Sequence, residues 1–284
     1  MNSLKPLGER RYIPPEKALE ELEGYSGNDS SGEGSDSGEN KGNLERDAVA
    51  ANIENPRDYI QVPGVNGIHG NPVVISKFEV QGMNKKNYED THRAAFQLQK
   101  GLYIPTPAIF MPHFKNVVET YKNNQLLLNA EGNPIRREEH EEIYRHLTTN
   151  FKDVYNTNQP GAWTWLNARF VPGKSPNSSD LETIIGINPD GDFETRKEPL
   201  LQCLSKDAYA EIVFNSQGLP TQKSRKQEYK QGENLYYWKP VNGRVARFNA
   251  GSDRVDLNCN GDPGNSSSAL GVFLCAEGTP KNIK

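Results

Sequence analysis

Apolar side chains are spread unevenly along the 284-residue chain, and their spacing divides it into three parts. Residues 26–43 carry none: eighteen positions hold five glycines, five serines and four acids against one lysine. Such a segment cannot bury enough surface to offset its ordering entropy, so residues 26–45 read as a flexible linker. It isolates residues 1–25, whose KALEELEGY run has the length of one or two helical turns. A helix that short is marginal alone, and the segment is either a solvated tail or a piece that docks on a larger assembly. Residues 46–284 read as a single domain.

Within that domain the β-branched run Pro72–Val80 predicts a strand. Tyr88, Ala94, Ala95 and Leu98 fall at helical spacing, which predicts a helix over 86–100 with Gly101 as its stop. Three prolines in 103–113 (YIPTPAIFMPH) forbid a central strand and favour a buried, irregular connection. Phe114, Val117, Val118 and Tyr121 form a clean helical stripe. A turn at 129–134 follows, and then a charged helix over 136–149 with Ile143 and Leu147 inward. The first half thus reads as one strand and three helices.

After a mixed stretch at 162–170 and a Ser/Pro/Asn loop, Asp207–Asn215 reads as a short helix capped by Ser205 or Asp207 and stopped by Gly218. The remainder alternates short strands (235–240, 243–250, 254–259 and 269–277) with loops. The expected class is α+β, with a helical first half and a loop-rich C-terminal sheet.

Composition narrows the function. With 34% hydrophobic residues, a net charge of −4 and a mean hydropathy of −0.80, nothing attracts nucleic acid, and no window approaches a membrane span. The N-terminus has no apolar leader core, so no signal peptide and no membrane insertion are expected. Cys203, Cys259 and Cys275, spaced by 56 and 16 residues, match no zinc or redox motif and read as buried thiols, leaving room for one disulfide.

His140 and His146 lie six residues apart on a charged helix, which turns their rings about 120° from each other. They read as surface histidines rather than metal ligands, and Glu138, Glu139, Glu141 and Glu142 as a solvated face. Asn188-Pro-Asp-Gly-Asp192 reads as a polar turn, since it lacks a calcium loop's closing glutamate. Sequons at Asn28, Asn177 and Asn265 say little by themselves. No nucleophile elbow or phosphate loop is present, and no cofactor, metal or catalytic residue is expected.

One segment departs from this bland picture. Of the twenty residues 249–268, fourteen are Asn, Asp, Ser or Gly. Yet Val255, Leu257 and Cys259 alternate with Asp256, Asn258 and Asn260, the period-2 pattern of a half-buried strand. The aromatic run Tyr236, Tyr237 and Trp238 precedes it, and an apolar strand follows. Small hydrogen-bonding side chains on an ordered scaffold, bordered by aromatics, have the chemistry of a paratope.

Residues 244–278 resemble the C-terminal signature of the formylglycine-generating-enzyme type of C-type lectin fold, with Leu270-Gly271-Val272-Phe273 in the place of its closing strand. They are more closely similar to variable proteins of diversity-generating retroelements, in particular the archaeal and archaeal-virus group. The similarity extends upstream through 216–240 and, more weakly, through 104–123. The resemblance implies a hypervariable face within about 245–271, produced by adenine-directed mutation of a template copy. It carries the ligand-facing role to Asn249, Asp253, Asp256, Asn258, Asn260, Asp262, Asn265, Ser266 and Ser267, with Tyr236, Tyr237 and Trp238 as an aromatic border. Val255, Leu257, Leu270, Val272, Leu274 and Cys275 match scaffold positions.

The enzymatic relatives use a close cysteine pair and copper, whereas here Cys259 has no second cysteine within fifteen residues. The sequence also lacks the calcium triplet of sugar-binding lectins. The expectation is therefore a non-catalytic binder whose 249–268 face engages a protein or surface ligand, displayed on a virion or host-cell surface. A formylglycine-generating-type enzyme and a fixed structural virion or envelope component are the alternatives.

Overall fold

A computed structural model describes residues 55–80, 82–99, 101–148, 161–251 and 253–278, all within the compact unit Val49–Lys284. The readings made for residues 1–54, including the tail and linker, lie outside the described residues.

Strands β1 (Tyr59–Asn66) and β2 (Pro72–Ser76) form an antiparallel pair, which the last strand of the described residues, β10 (Cys275–Glu277), joins along β2. Helices α1 (Tyr88–Leu98), α2 (Pro107–Lys122) and α3 (Arg137–Thr148) follow. The rest builds a seven-stranded sheet from β3 (Trp163–Pro172), β4 (Ser179–Ile187), β5 (Phe193–Pro199), β6 (Ala208–Glu211), β7 (Asn234–Trp238), β8 (Val245–Ala250) and β9 (Val255–Gly261). Its order is β5-β4-β3-β8-β9-β7-β6, antiparallel except where β7 meets β9. The mixed α+β class is as expected, with more sheet than the sequence reading allowed.

The proline-rich stretch 103–113 is not wholly irregular. Pro107 opens α2 at a position where its missing N–H has no helical partner to lose, and the helix runs on through Pro112. Burial of Ile109, Phe110, Met111, His113, Phe114, Val117 and Val118 on one helix offsets the single lost bond.

The helix expected over 207–215 is instead strand β6 followed by a turn. Tyr209 pairs with Tyr236 on β7, while Asp207 caps the end of that strand by accepting from the Lys239 N–H at 2.9 Å. Asn215 closes the turn by accepting from the Gln217 and Leu219 amides. Gly218, at φ +77°, sits where a Cβ would come within 2.1 Å of the Pro107 carbonyl oxygen. It is needed for that close approach and ends no helix. The strand expected over 269–277 is ordered only at Cys275–Glu277, because Leu270–Leu274 runs as a buried irregular segment.

His140 and His146 are not surface residues. Both are buried: His140 lies against α2, with Nε2 3.3 Å from the Val117 carbonyl, and His146 Nε2 is 2.5 Å from Glu79 Oε2. Helix α3 is covered on two sides, and the rings fill those contacts. Burial would raise the Glu79 carboxyl, but His146 and the Trp163 N–H draw it below its usual range.

One face of the large sheet packs on α2 and α3, joining Leu166, Phe170, Phe248, Leu257, Leu235 and Tyr237 to Phe110, Phe114, Val117, Ile143 and Leu147 in one core. The other face is only half covered. Over β3 and β4, Tyr88 of α1 and Leu270 close on Trp165, Ile184 and Val245. Beyond β8 no helix among the described residues packs on this side, and most of its side chains are half-buried.

Strand β3 carries a register shift between Trp165 and Arg169 against β8, and the buried Asn167 repairs its neighbour's ladder. Its Nδ2 donates to the Ile184 carbonyl at 2.7 Å, and its Oδ1 accepts from the Ile184 N–H at 2.9 Å. Asn167→Leu leaves both backbone groups unpaired and is expected to lose roughly 2–5 kcal/mol. Urea unfolding measures this, and a loss under about 1 kcal/mol would show that water replaces the amide.

Candidate functional site: the open sheet face

Strand β9 is buried at Val255, Leu257, Cys259 and Gly261 and turns Asp256, Asn258 and Asn260 outward, as its alternation predicts. Strand β8 does the same with Arg247 and Asn249 between the buried Ala246, Phe248 and Ala250. The register then assembles two rows across the sheet. Trp163, Asn249, Asp256, Tyr236 and Tyr209 are successive cross-strand partners, and beside them run Trp165, Arg247, Asn258 and Trp238.

The aromatic part of the face is built as a unit. Tyr209 and Tyr236 meet edge to face with centroids 5.0 Å apart, and Tyr236 meets Trp238 at 5.2 Å. Arg254, from the β8–β9 hairpin, lays its guanidinium 4.4 Å over Tyr236 while its Nε donates to Asp256 Oδ1 at 2.8 Å. Burial lifts the Asp256 carboxyl above its usual range although Arg254 draws it down. On the far side, Arg247 lies 5.8 Å over the Trp163 ring. Burial lowers its guanidinium against the opposing pull of Asp256 and Asp262.

The nine expected ligand-facing residues do not form one patch. Asn249, Asp256, Asn258 and Asn260 share the open face, and Asp253 stands on the hairpin at one end. Asp262, Asn265, Ser266 and Ser267 occupy the loop beyond the opposite end of β9. Much of that loop's polarity goes into its own turns. Asp262 accepts from the Gly264 N–H, Asn265 from Ser267 and the Ser267 hydroxyl from Ala269. The loop is also docked on the entry to α1, where its Pro263 and Ser267 carbonyls accept from the Tyr88 and Lys85 amides.

The aromatic border needs a correction. Tyr236 and Trp238 lie on the open face, but Tyr237 is fully buried on the core side and its hydroxyl donates to Cys203 Sγ at 3.4 Å. Alternation along β7 allows the three rings no common side. Missed in the sequence were Trp163, Tyr209, Arg247 and Arg254. Extending the period-2 reading from β9 to ARFNA would have found Arg247.

The scaffold positions Val255, Leu257, Leu270, Val272, Leu274 and Cys275 are all buried. Cys203, Cys259 and Cys275 are free thiols; burial pushes all three up, Cys259 and Cys275 furthest. Among the described residues no group of three His, Cys, Asp or Glu is placed to hold a metal, and no helix is long and apolar enough to cross a membrane. Two shallow clefts, of about 380 and 430 Å³, lie away from the open face, against β1 and β2 and beside the C-terminal end of α2.

The chain matches no protein-family model, no curated protein and no solved structure.

Proposed function

We propose that this protein is a non-catalytic binder that presents the open face of β8, β9, β7 and β6 to a protein ligand, on a scaffold of the formylglycine-generating-enzyme type of C-type lectin fold. The face would be diversified through a retroelement. One observation carries the reading: the register sets Tyr209, Tyr236, Trp238 and Arg247 beside Asn249, Asp256 and Asn258 on one side of the sheet, with Arg254 laid over Tyr236, and no helix among the described residues packs on them. Tyr, Trp and Arg dominate interface hot spots, and short polar side chains among them supply adaptable hydrogen bonds. The face is the side of a sheet set with aromatic and guanidinium side chains, which suits a protein surface. The polar loop 262–268 plays a supporting part, because its side chains hold its own fold.

The enzymatic alternative fits less well. Copper chemistry at Cys259 needs an accessible thiolate, whereas this side chain is fully buried in the core, where burial favours the neutral thiol.

A library randomised at Asn249, Asp253, Asp256, Asn258 and Asn260 tests the proposal. Most members are expected to keep protease resistance: changes at the exposed Asp253 and Asn260 should shift stability by under about 0.5 kcal/mol each, and those at the half-buried Asn249, Asp256 and Asn258 by about 1 kcal/mol each. A library that mostly unfolds would make the face a fixed structural surface. Independently, the DNA flanking the gene should hold a near-copy of the 3′ coding segment differing mainly at adenines, beside a reverse transcriptase. Its absence would remove the retroelement from the proposal and leave a fixed binding face.

A further inference from the structure

We infer that Arg247 is the seat for a carboxylate of the protein ligand, so that the open face selects an acidic side chain flanked by an apolar or aromatic one. This rests on reading the face as a protein-binding surface.

Three arginines border the face, and two have carboxylate partners. Arg254 holds Asp256 at 2.8 Å and lies 3.8 Å from Asp253, while Arg244 lies 3.7 Å from Asp262. Arg247 stands in β8 and has neither an ion pair nor a hydrogen bond among the described residues. Its cross-strand neighbours are Trp165 on β3 and Asn258 on β9, so no carboxylate faces it directly. Asp256 and Asp262 act on it only through space.

A guanidinium carries five donors, and half-burying it with only the Trp163 ring and two distant carboxylates returns little of the lost hydration. Binding surfaces keep such a group where the ligand brings the acceptor. The surroundings define that acceptor. Asn249 and Asn258 flank Arg247 with neutral amides, and Trp163 and Trp238 supply apolar walls. A planar fork of donors fits a carboxylate through two parallel hydrogen bonds, a geometry that lysine or an amide cannot supply. Asp253, Asp256 and Asp262 balance the three arginines in charge, so the seat draws acid through the unpaired donors of Arg247 and not through a net positive patch.

The test uses the full chain and a phage-displayed peptide library carrying Asp, Glu, Asn and Gln at equal frequency. Binders lost in Trp238→Ala are counted as face-dependent. These are expected to be enriched in Asp or Glu, and either Asp→Asn in the peptide or Arg247→Gln in the protein should raise Kd at least tenfold. The two losses should not add: against Arg247→Gln, the Asp and Asn peptides should bind alike. The melting temperature of Arg247→Gln should fall by no more than a few degrees, because the contact with the Trp163 ring is lost but no ion pair or hydrogen bond among the described residues is. Face-dependent binders without acid enrichment, or indifferent to Arg247→Gln, overturn the carboxylate seat and leave the binding face standing. Displacement by inorganic phosphate where acetate has no effect overturns it as well, in favour of a phosphate-type anion. If no binder depends on Trp238, the reading of the face fails and the seat falls with it.

Discussion

Moving the protein from pH 6.5 to pH 4.5 is expected to remove roughly 5 kcal/mol of stability through two histidines alone. His92 on α1 and His113 on α2 are fully buried, and neither nitrogen of either ring has a hydrogen-bond partner among the described residues. His92 is wedged between aromatic rings, 4.6 Å from Tyr88 and 6.3 Å from Phe193. Burial pulls it down to about 3, helped by the Arg169 charge, and burial alone pulls His113 down to about 3. The native state thus binds no proton on either ring until far below the value near 6.5 at which the unfolded chain takes one.

Stability is full above pH 6.5. Below it each ring removes about 1.4 kcal/mol per pH unit until its native value is reached. Glu79, held below the usual carboxylate range, adds a second loss only beneath about pH 4.5, as its own proton returns. Against a domain stability of about 5–15 kcal/mol, the histidine pair alone brings unfolding within reach of mild acid. Urea midpoints measured between pH 7 and pH 4.5 check this. The double variant His92→Leu/His113→Leu should flatten the dependence, and a wild-type midpoint that stays level would mean that the rings find proton acceptors in the fold.

These histidines show where the sequence stops being informative. A ring that titrates near neutrality carries no mark of burial in the linear pattern, and α3 is charged enough to hide that His140 and His146 face inward. The same limit explains the missed strands. β3 shows no alternation because α1 covers its outer side at Trp165, leaving it apolar on both faces. β5 shows none for the opposite reason: as the sheet edge it carries Glu194, Arg196, Lys197 and Glu198, charges that protect an exposed ladder. Where one face is buried and the other open, as at Val255–Asn260, the pattern is legible and the assignment holds residue by residue. The open face followed from that strand. Alternation along ARFNA also turns Arg247 to this side, but that Arg254 reaches back over Tyr236 depends on the β7–β9 pairing, which the sequence does not show.

The other large effect separates the two faces of that same strand. Leu257→Asp is expected to abolish folding, while Asn258→Ala/Asn260→Ala, one and three residues away, should melt within a few degrees of the parent. Leu257 is fully buried, paired with Phe248 on one side and Tyr237 on the other, in the core that includes Phe110 and Phe114. Losing its side chain alone removes about 3–5 kcal/mol, and a carboxylate left there without a partner adds several more. That total matches or exceeds the stability of an ordinary domain. The asparagines contribute one local hydrogen bond, from the Asn260 N–H to Asn258 Oδ1 at 2.8 Å, on a surface where water can replace it. Circular dichroism melts of both variants decide the stability half of the argument. The binding half is decided by the selected face-dependent peptides, whose affinity should fall for the asparagine pair at unchanged stability. A drop of more than about ten degrees for that pair, the equivalent of several kcal/mol for a domain of this size, would place Asn258 and Asn260 in the scaffold and take β9 out of the binding face.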